Sequence, residues 1–269
     1  MRVAFWKMHG AANDFVLVDD RSLRFPATDR AWIAAIATRR TGVGCEGVIL
    51  IQPSTRADFR MRFFNPDGGE ADMCGNGARC VARLAHEIGA APARMSIETA
   101  AGLLQAERVG EQVRLVMTDP KDWRLDRTLT LGDTRLAYGF VNSGVPHAVV
   151  EPNDLDSCDV QRLGSGIRHH ADFAPAGTNA NFIQVTGPRS LRIRNYERGV
   201  EGETLACGTG MVAAALVAAR MGRASPPVRI TPASGDVLTV DFRIEGERTS
   251  NVTLLGPAAH VFQGTLEYK

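Results

Sequence analysis

Cys74 and Cys207 are the residues whose type and setting best suit them to do chemistry. Each stands before a glycine-rich turn, Cys74-Gly75-Asn76-Gly77-Ala78 and Cys207-Gly208-Thr209-Gly210-Met211, and each turn leads into a small, apolar, helix-like run. A helix N-terminus presents unpaired N–H groups and partial positive charge, which stabilise a thiolate and move a thiol from its free value of ~8.5 toward neutrality. Glycines beside the thiol let a ligand carboxylate dock on the exposed N–H groups. One such end makes a reactive cysteine. Two of them at one site can hold a carbon between a thiolate that removes a proton and a thiol that delivers one to the opposite face. The product is the inverted stereocentre.

The α-proton of an amino acid is a very weak acid, so general acid–base help of ~10²–10⁴-fold is insufficient alone. Carboxylate binding at the helix ends adds stabilisation of the carbanionic charge. Lys7, Lys121 and Lys269 are the only lysines, and none sits in a pyridoxal-phosphate context. No GxGxxG that follows a strand and opens a helix, as a dinucleotide unit requires, is present. The expectation is inversion with no cofactor. No metal is expected either, because Cys74, Cys80, Cys207 and His147 lack the close CxxC pairing common in zinc sites. Cys45 and Cys158 read as small buried hydrophobes, and Cys80 as core or as support behind the site.

The elements around these thiols repeat. Cys74 and Cys207 lie 133 residues apart, as do Gly44 and Gly177, and Gly102 and Gly235. Arg62 and Arg194 keep nearly the same offset, so the chain reads as two copies of one structural unit. In the first half, 15–18, 48–51, 59–64, 95–99 and 113–117 carry the β-branched and aromatic content of strands. A helix is expected from Asp29 to Arg39, with Thr28 as N-cap and Trp32, Ile33 and Ile36 on one face. A second follows Cys74, with Val81, Leu84, Ala85 and Ile88 at helical spacing and Gly89 at its end. In the second half, 148–150, 182–185, 191–196, 228–231, 237–240 and 252–255 read as strands. The run 211–221 is apolar nearly all round and must be a buried helix. The expected class is α+β, with two pseudo-symmetric lobes, each a sheet around a central helix. The Pro-, Asp- and Lys-containing stretch 118–135 is the expected connection. This gives an N-terminal lobe of 1–118, completed by 257–269, and a C-terminal lobe of 119–256.

Composition bounds the partners. With 44% hydrophobic and 23% charged residues the chain is an ordinary globular protein, and a net charge of +1 argues against a broad nucleic-acid or anionic-membrane surface. A small molecule is the default partner. Lys7, His9, Asn13 and Asp14 interrupt the first residues, so no signal-peptide core is read there, and no apolar run reaches the ~18–20 residues of a membrane span. Five cysteines fit a reducing cytosol better than a disulfide framework, and the expected localisation is cytoplasmic.

The segments MHGAANDF (8–15), FFNPDGGEADMCGNGARC (63–80), GTNANF (177–182) and YERGVEGETLACGTG (196–210) resemble the diaminopimelate epimerase family, and the likeness runs from Lys7 to the 256–258 stretch. The resemblance implies a pyridoxal-phosphate-independent epimerase acting on amino acids, interconverting LL- and meso-diaminopimelate for lysine and cell-wall synthesis. It makes Cys74 and Cys207 the acid–base pair, with His147 and Glu197 beside the thiols. It places Gly75, Asn76, Gly208 and Thr209 around the α-carboxylate, and Asn13, Asn65, Asn179, Glu197 and Arg198 on the substrate's amino and carboxylate groups. Curled, mostly antiparallel sheets and a homodimer are also implied. Of Asn179 and Asn181, which alternate along a strand, Asn179 is taken to face the site.

Three departures from the family pattern stand out. Val145 replaces an asparagine before Pro146-His147, Gly47 replaces a glutamine after Glu46, and the loop from Glu197 to Cys207 carries one extra residue. Val145 and Gly47 motivate an alternative, a racemase of another amino acid on the same scaffold. A thiol redox or binding protein is the alternative outside catalysis, and would not exchange a substrate α-hydrogen.

Overall fold

The computed structural model describes residues 1–268, which form two compact units, 1–115 with 255–268 and 116–254. The first contains β1 (Arg2–Gly10), β2 (Asn13–Asp19), α1 (Arg30–Ala37), β3 (Gly47–Gln52), β4 (Phe59–Phe64), β5 (Glu70–Ala71), α2 (Gly75–Glu87), β6 (Arg94–Thr99), β7 (Gly102–Val109) and β8 (Gln112–Val116). The second contains β9 (Lys121–Leu131), β10 (Thr134–Asn142), β11 (Pro146–Val150), α3 (Val160–Arg168), β12 (Asn179–Gly187), β13 (Ser190–Glu197), β14 (Gly202–Thr204), α4 (Gly208–Arg220), β15 (Val228–Thr231), β16 (Leu238–Glu245) and β17 (Arg248–Pro257). The last strand, β18 (Ala259–Glu267), belongs to the first unit and pairs with β1.

The pairing scheme repeats strand for strand. In the first unit β1–β2 is antiparallel, β2–β3 parallel, β3–β4 and β4–β5 antiparallel, β4–β6 parallel and β6–β7 antiparallel. In the second, β10–β11, β11–β12, β12–β13, β13–β14, β13–β15 and β15–β16 follow the same sequence of orientations. A further antiparallel strand closes each set, β18 on β1 and β9 on β10. Side chains repeat too. Arg62 grips both oxygens of Glu70 at 2.9 and 2.7 Å, and Arg194 grips Glu203 at 2.7 and 2.8 Å. These forks tie each short hairpin that leads into a cysteine.

Each unit wraps its sheet around one 13-residue helix. In α4 every residue from Gly210 to Ala218 is buried, as its apolar circumference requires. The helix α2 buries Ala78, Cys80, Val81, Ala82, Leu84 and Ala85 and keeps Arg83 and Glu87 outward as an ion pair. Gly89 and Gly222 follow the two helices with φ of +67° and +69°, a conformation that ends a helix cheaply only in glycine.

Three details differ from expectation. The first helix is capped by Asp29, whose carboxylate accepts from the Trp32 N–H at 3.0 Å, rather than by Thr28. The stretch 121–131 is a strand paired along its length with β10, so most of 118–135 is sheet and not linker. Residues 160–168 form α3, which the sequence does not announce.

The β1–β2 turn, Ala11-Ala12, holds two alanines at φ of +56° and +62°. The left-handed region costs an L-residue roughly 1–2 kcal/mol, and the turn sits directly before Asn13. Ala12 is exposed, so Ala12→Gly removes strain without removing packing. It is expected to raise stability by about 1 kcal/mol, read as a higher urea midpoint at constant slope; an unchanged or lower midpoint would show the turn is not strained.

Candidate active site

Each unit presents a cysteine at the head of its buried helix. Cys74 and Cys207 are the N-cap residues of α2 and α4, with extended backbones (φ −135°, ψ 121° and φ −115°, ψ 112°). Their carbonyls accept the first helical bonds, from Ala78 N–H at 2.8 Å and Met211 N–H at 2.9 Å. The thiols therefore leave the helix axis at the end where backbone N–H groups are unsatisfied.

In the first unit, Asn76 is buried in the first turn of α2, and its Oδ1 accepts from the Arg79 guanidinium at 2.9 Å. Arg79 is fully buried and also donates to the Pro257 carbonyl at 3.2 Å, which ties the helix start to the last part of the chain. A Cβ built on Gly75 meets nothing within 4 Å, so the backbone beside Cys74 is open to a ligand. Asn13 opens β2 with a buried Oδ1 that has no protein partner, and His9 on β1 has an unpartnered Nδ1. Beside them Lys7 bonds Asp14 at 2.6 Å and the Gly44 carbonyl, and Arg39 bonds Asp14 at 2.8 Å. Burial opposes the Asp14 charge, but the bonds from Arg39 and Lys7 win and hold the carboxyl below its usual range. Asn65 stands exposed where β4 ends, in the turn leading to β5.

The second unit carries a denser set. Cys207 is 6% exposed, lies 3.7 Å from the Thr209 hydroxyl and bonds Glu197. Thr209 Oγ1 is 2.9 Å from His147 Nε2. Glu197, at the end of β13, accepts a short bond from the Thr204 hydroxyl. Asn179 on β12 accepts the Arg198 backbone N–H at 2.7 Å, and Arg198 donates through its guanidinium to the Ala176 carbonyl at 2.9 Å. Ser143 donates to the Thr209 carbonyl at 2.8 Å and pins the start of α4 to the β10–β11 turn. Cys207, Thr209, His147, Glu197, Asn179 and Arg198 thus lie together in this unit.

Asn181 lies with them. Residues two apart on a strand share a face, so Asn179 and Asn181 point the same way. Asn181 Nδ2 donates to His147 at 3.1 Å and to the Ala148 carbonyl at 2.9 Å. The sequence signal is the alternating Asn179-Ala180-Asn181, whose two-residue spacing on a strand puts both asparagines on one face.

The electrostatics also differ from the helix-end argument. Burial pushes the Cys207 thiol well above its usual value, the Glu197 charge raises it further, and donation from Thr209 and the Gly210 N–H offsets only part. Cys207 therefore rests as a thiol donating to Glu197, whose own carboxyl is raised by burial. Glu197→Gln removes the nearby charge and should move alkylation of Cys207 to lower pH, followed on the Cys207 peptide by mass spectrometry. A midpoint that stays put or rises would contradict this account.

His147 is fully buried, and burial drives its imidazole down to about 3, with the Arg198 charge adding to the effect. An unfolded histidine titrates near 6.5. The folded value is depressed, so neutral His147 contributes its full stability above about pH 6.5, and that contribution drains away as pH falls toward the folded value. Glu197, raised instead, acts in the opposite sense over its own range. His147→Gln should flatten the fall in the urea midpoint between about pH 6 and pH 4; a slope equal to that of the parent would count against a buried neutral imidazole.

This doubled sheet-and-helix fold is shared with a class of solved structures. It superposes on a Bacillus anthracis phenazine biosynthesis protein of the PhzF family with a TM-score of 0.75, 17% identity and all of both chains covered. A probable proline racemase from Agrobacterium radiobacter superposes at 0.71, with 16% identity over 99% of this chain and 93% of that one. The family model described as diaminopimelate epimerase matches residues 5–123 and 139–261. Curated diaminopimelate epimerases from Aquifex aeolicus (40% identity, 97% of each chain) and Chlorobaculum tepidum (45%, 96% of this chain and 99% of that one) match nearly end to end. The chain belongs to the diaminopimelate epimerase family.

Proposed function

We propose that the protein interconverts LL- and meso-diaminopimelate without pyridoxal phosphate, using Cys74 and Cys207 as its two acid–base groups. The observation that carries this reading is the same cysteine at the head of the same buried helix in both units, inside a chain that matches diaminopimelate epimerases over nearly its full length. One thiolate takes the α-proton, the other thiol supplies a proton from the opposite side, and the carbon is inverted. Two helix N-termini offer N–H groups to the α-carboxylate, where the carbanionic charge is delocalised. Gly75, Asn76, Gly208 and Thr209 surround that carboxylate in this reading, and Asn13, Asn65, Asn179, Glu197 and Arg198 bind the remaining amino and carboxylate groups. His147 and Glu197 stand beside the thiols.

A resting Cys207 thiol bonded to a buried carboxylate suits the group that must release a proton in one direction and take one in the other. The enzyme works in the cytoplasm as a homodimer on a small amino acid, and serves lysine and peptidoglycan precursor synthesis. No helix of the described residues is long and apolar enough to cross a membrane.

The test is proton NMR of the reduced protein with LL-diaminopimelate in D₂O, with no added pyridoxal phosphate. Loss of the α-proton signal with appearance of the meso isomer is the expected result. Absence of exchange, with all thiols titrating as reduced, would overturn the assignment to diaminopimelate. A panel of amino acids lacking the second amino-carboxylate head would then test the racemase alternative.

A further inference from the structure

We infer that Asn181 is a positioning residue that selects which nitrogen of His147 carries the proton, and thereby aims the Thr209 hydroxyl at Cys207. One atom at this site has only one possible role. The Ala148 carbonyl can only accept, and it lies 2.9 Å from the Asn181 amide nitrogen, so the Asn181 side chain must present its NH₂ group there. A reversed amide would set two carbonyl oxygens against each other in a site with no exposure. The second hydrogen of the same NH₂ group points to His147 Nδ1 at 3.1 Å, so Nδ1 must accept.

An imidazole whose Nδ1 accepts is neutral and carries its proton on Nε2. That N–H donates to Thr209 Oγ1 at 2.9 Å. With an oxygen lone pair so occupied, Thr209 turns its own O–H toward Cys207 Sγ, 3.7 Å away, whenever Cys207 is a thiolate. Every donor in the series Ala148, Asn181, His147, Thr209, Cys207 is oriented by the fixed carbonyl at its start. The remaining Asn181 oxygen has no partner and faces α4, where a Cβ on Gly210 would sit 2.5 Å from it. Asn195, the direct cross-strand neighbour of Asn181, is 1% exposed, and its Oδ1 would lie 3.0 Å from the same added Cβ. The glycine is what lets the helix end and its thiol come down onto this polar shelf.

The inference rests on Cys207 as one of the two acid–base thiols, but the tautomer it predicts exists in the resting protein whether or not diaminopimelate is the substrate. The first test is therefore ¹⁵N NMR of histidine-labelled wild-type protein near neutral pH, with the His147 signals assigned by their loss in His147→Gln. A pyrrole-type Nε2 and a pyridine-type Nδ1 are expected. A proton on Nδ1, or a cationic ring, would overturn the inference.

The second test is a cycle of variants. Asn181→Asp offers an acceptor to Nδ1, moves the ring proton there and leaves Nε2 to accept from Thr209, so the donor to Cys207 is lost. It should shift the ¹⁵N pattern to the other tautomer and lower kcat about 10- to 100-fold, with KM changed far less. Thr209→Val should cost about the same, and Thr209→Ser should restore most of the rate. Asn181→Asp added to Thr209→Val should then cost no more than about twofold further. Fully additive losses would show that Asn181 acts by some other route. Failure of wild-type protein to exchange any substrate would refute the proposed function while leaving the tautomer result to stand on its own.

Discussion

Cys74→Ala and Cys207→Ala are each expected to lower LL-to-meso conversion by about 10⁴-fold or more. The size follows from the chemistry. Inversion needs a base on one side of the carbon and an acid on the other, and either deletion removes one of them outright. The two losses should not add, because groups that act as a unit fail together. Residual α-hydrogen exchange in each single variant should be confined to the stereoisomer whose hydrogen faces the surviving thiol. The two variants should therefore differ in which isomer still exchanges. Alanine keeps the extended N-cap backbone seen at both positions, so far-ultraviolet circular dichroism should be unchanged and the thermal midpoint should move by only a few degrees. Conversion at the parental rate in either variant, measured by the meso product in D₂O, would eliminate the two-thiol mechanism.

Gly210→Ala has the next largest expected effect, and it acts through packing. Its new methyl group would lie 2.5 Å from Asn181 Oδ1, 3.0 Å from Asn195 Oδ1 and 3.2 Å from the Cys207 Cβ. Both asparagines are buried at their strand positions, so neither can swing away as a surface side chain would. The first turn of α4 must lift from the β12–β13 pair. Overpacking of this kind costs about 1–3 kcal/mol, although alanine is the better helix former by up to about 1 kcal/mol. The same displacement separates Thr209 from His147, so kcat should fall along with the thermal midpoint. Gly75→Ala is the control: its Cβ would meet nothing within 4 Å, so the unliganded fold should tolerate it. Equal stability of Gly210→Ala and the parent would show that the helix end is not held against the shelf.

The helices that carry the thiols were legible because their signal is local. The run 211–221 is apolar on all sides and headed by Cys-Gly, and it became α4 within a few residues. Strands such as 48–51 and 59–64 were legible because β3 is buried throughout and β4 mostly so. By contrast, α3 contains Gly164 and Gly166, poor helix residues by propensity. They stand where Tyr196 and Leu131 press so closely that a Cβ would meet them at 2.4 and 2.9 Å. Tertiary packing selected those glycines and hid the helix. The strand β9 is hidden by Asp122, Arg124, Asp126 and Arg127, and it exists because β10 pairs with it; β18 pairs with β1 from the far end of the chain. Neither partner choice leaves a trace in the paired segment itself.

The sequence by itself determined the two cysteine-headed helices, the 133-residue repeat that doubles them and the motifs of the family. Each of these depends on neighbours in the chain or on spacing, which a sequence states directly. Only the tertiary structure decided the state of the groups at those helix ends. A helix N-terminus favours a thiolate, yet burial and Glu197, brought in on another strand, hold Cys207 as a thiol. The protonation of His147 is likewise decided by Asn181, which reaches it from the adjacent parallel strand. Desolvation and hydrogen-bond direction are properties of what surrounds an atom, and those surroundings come from segments far apart in the chain.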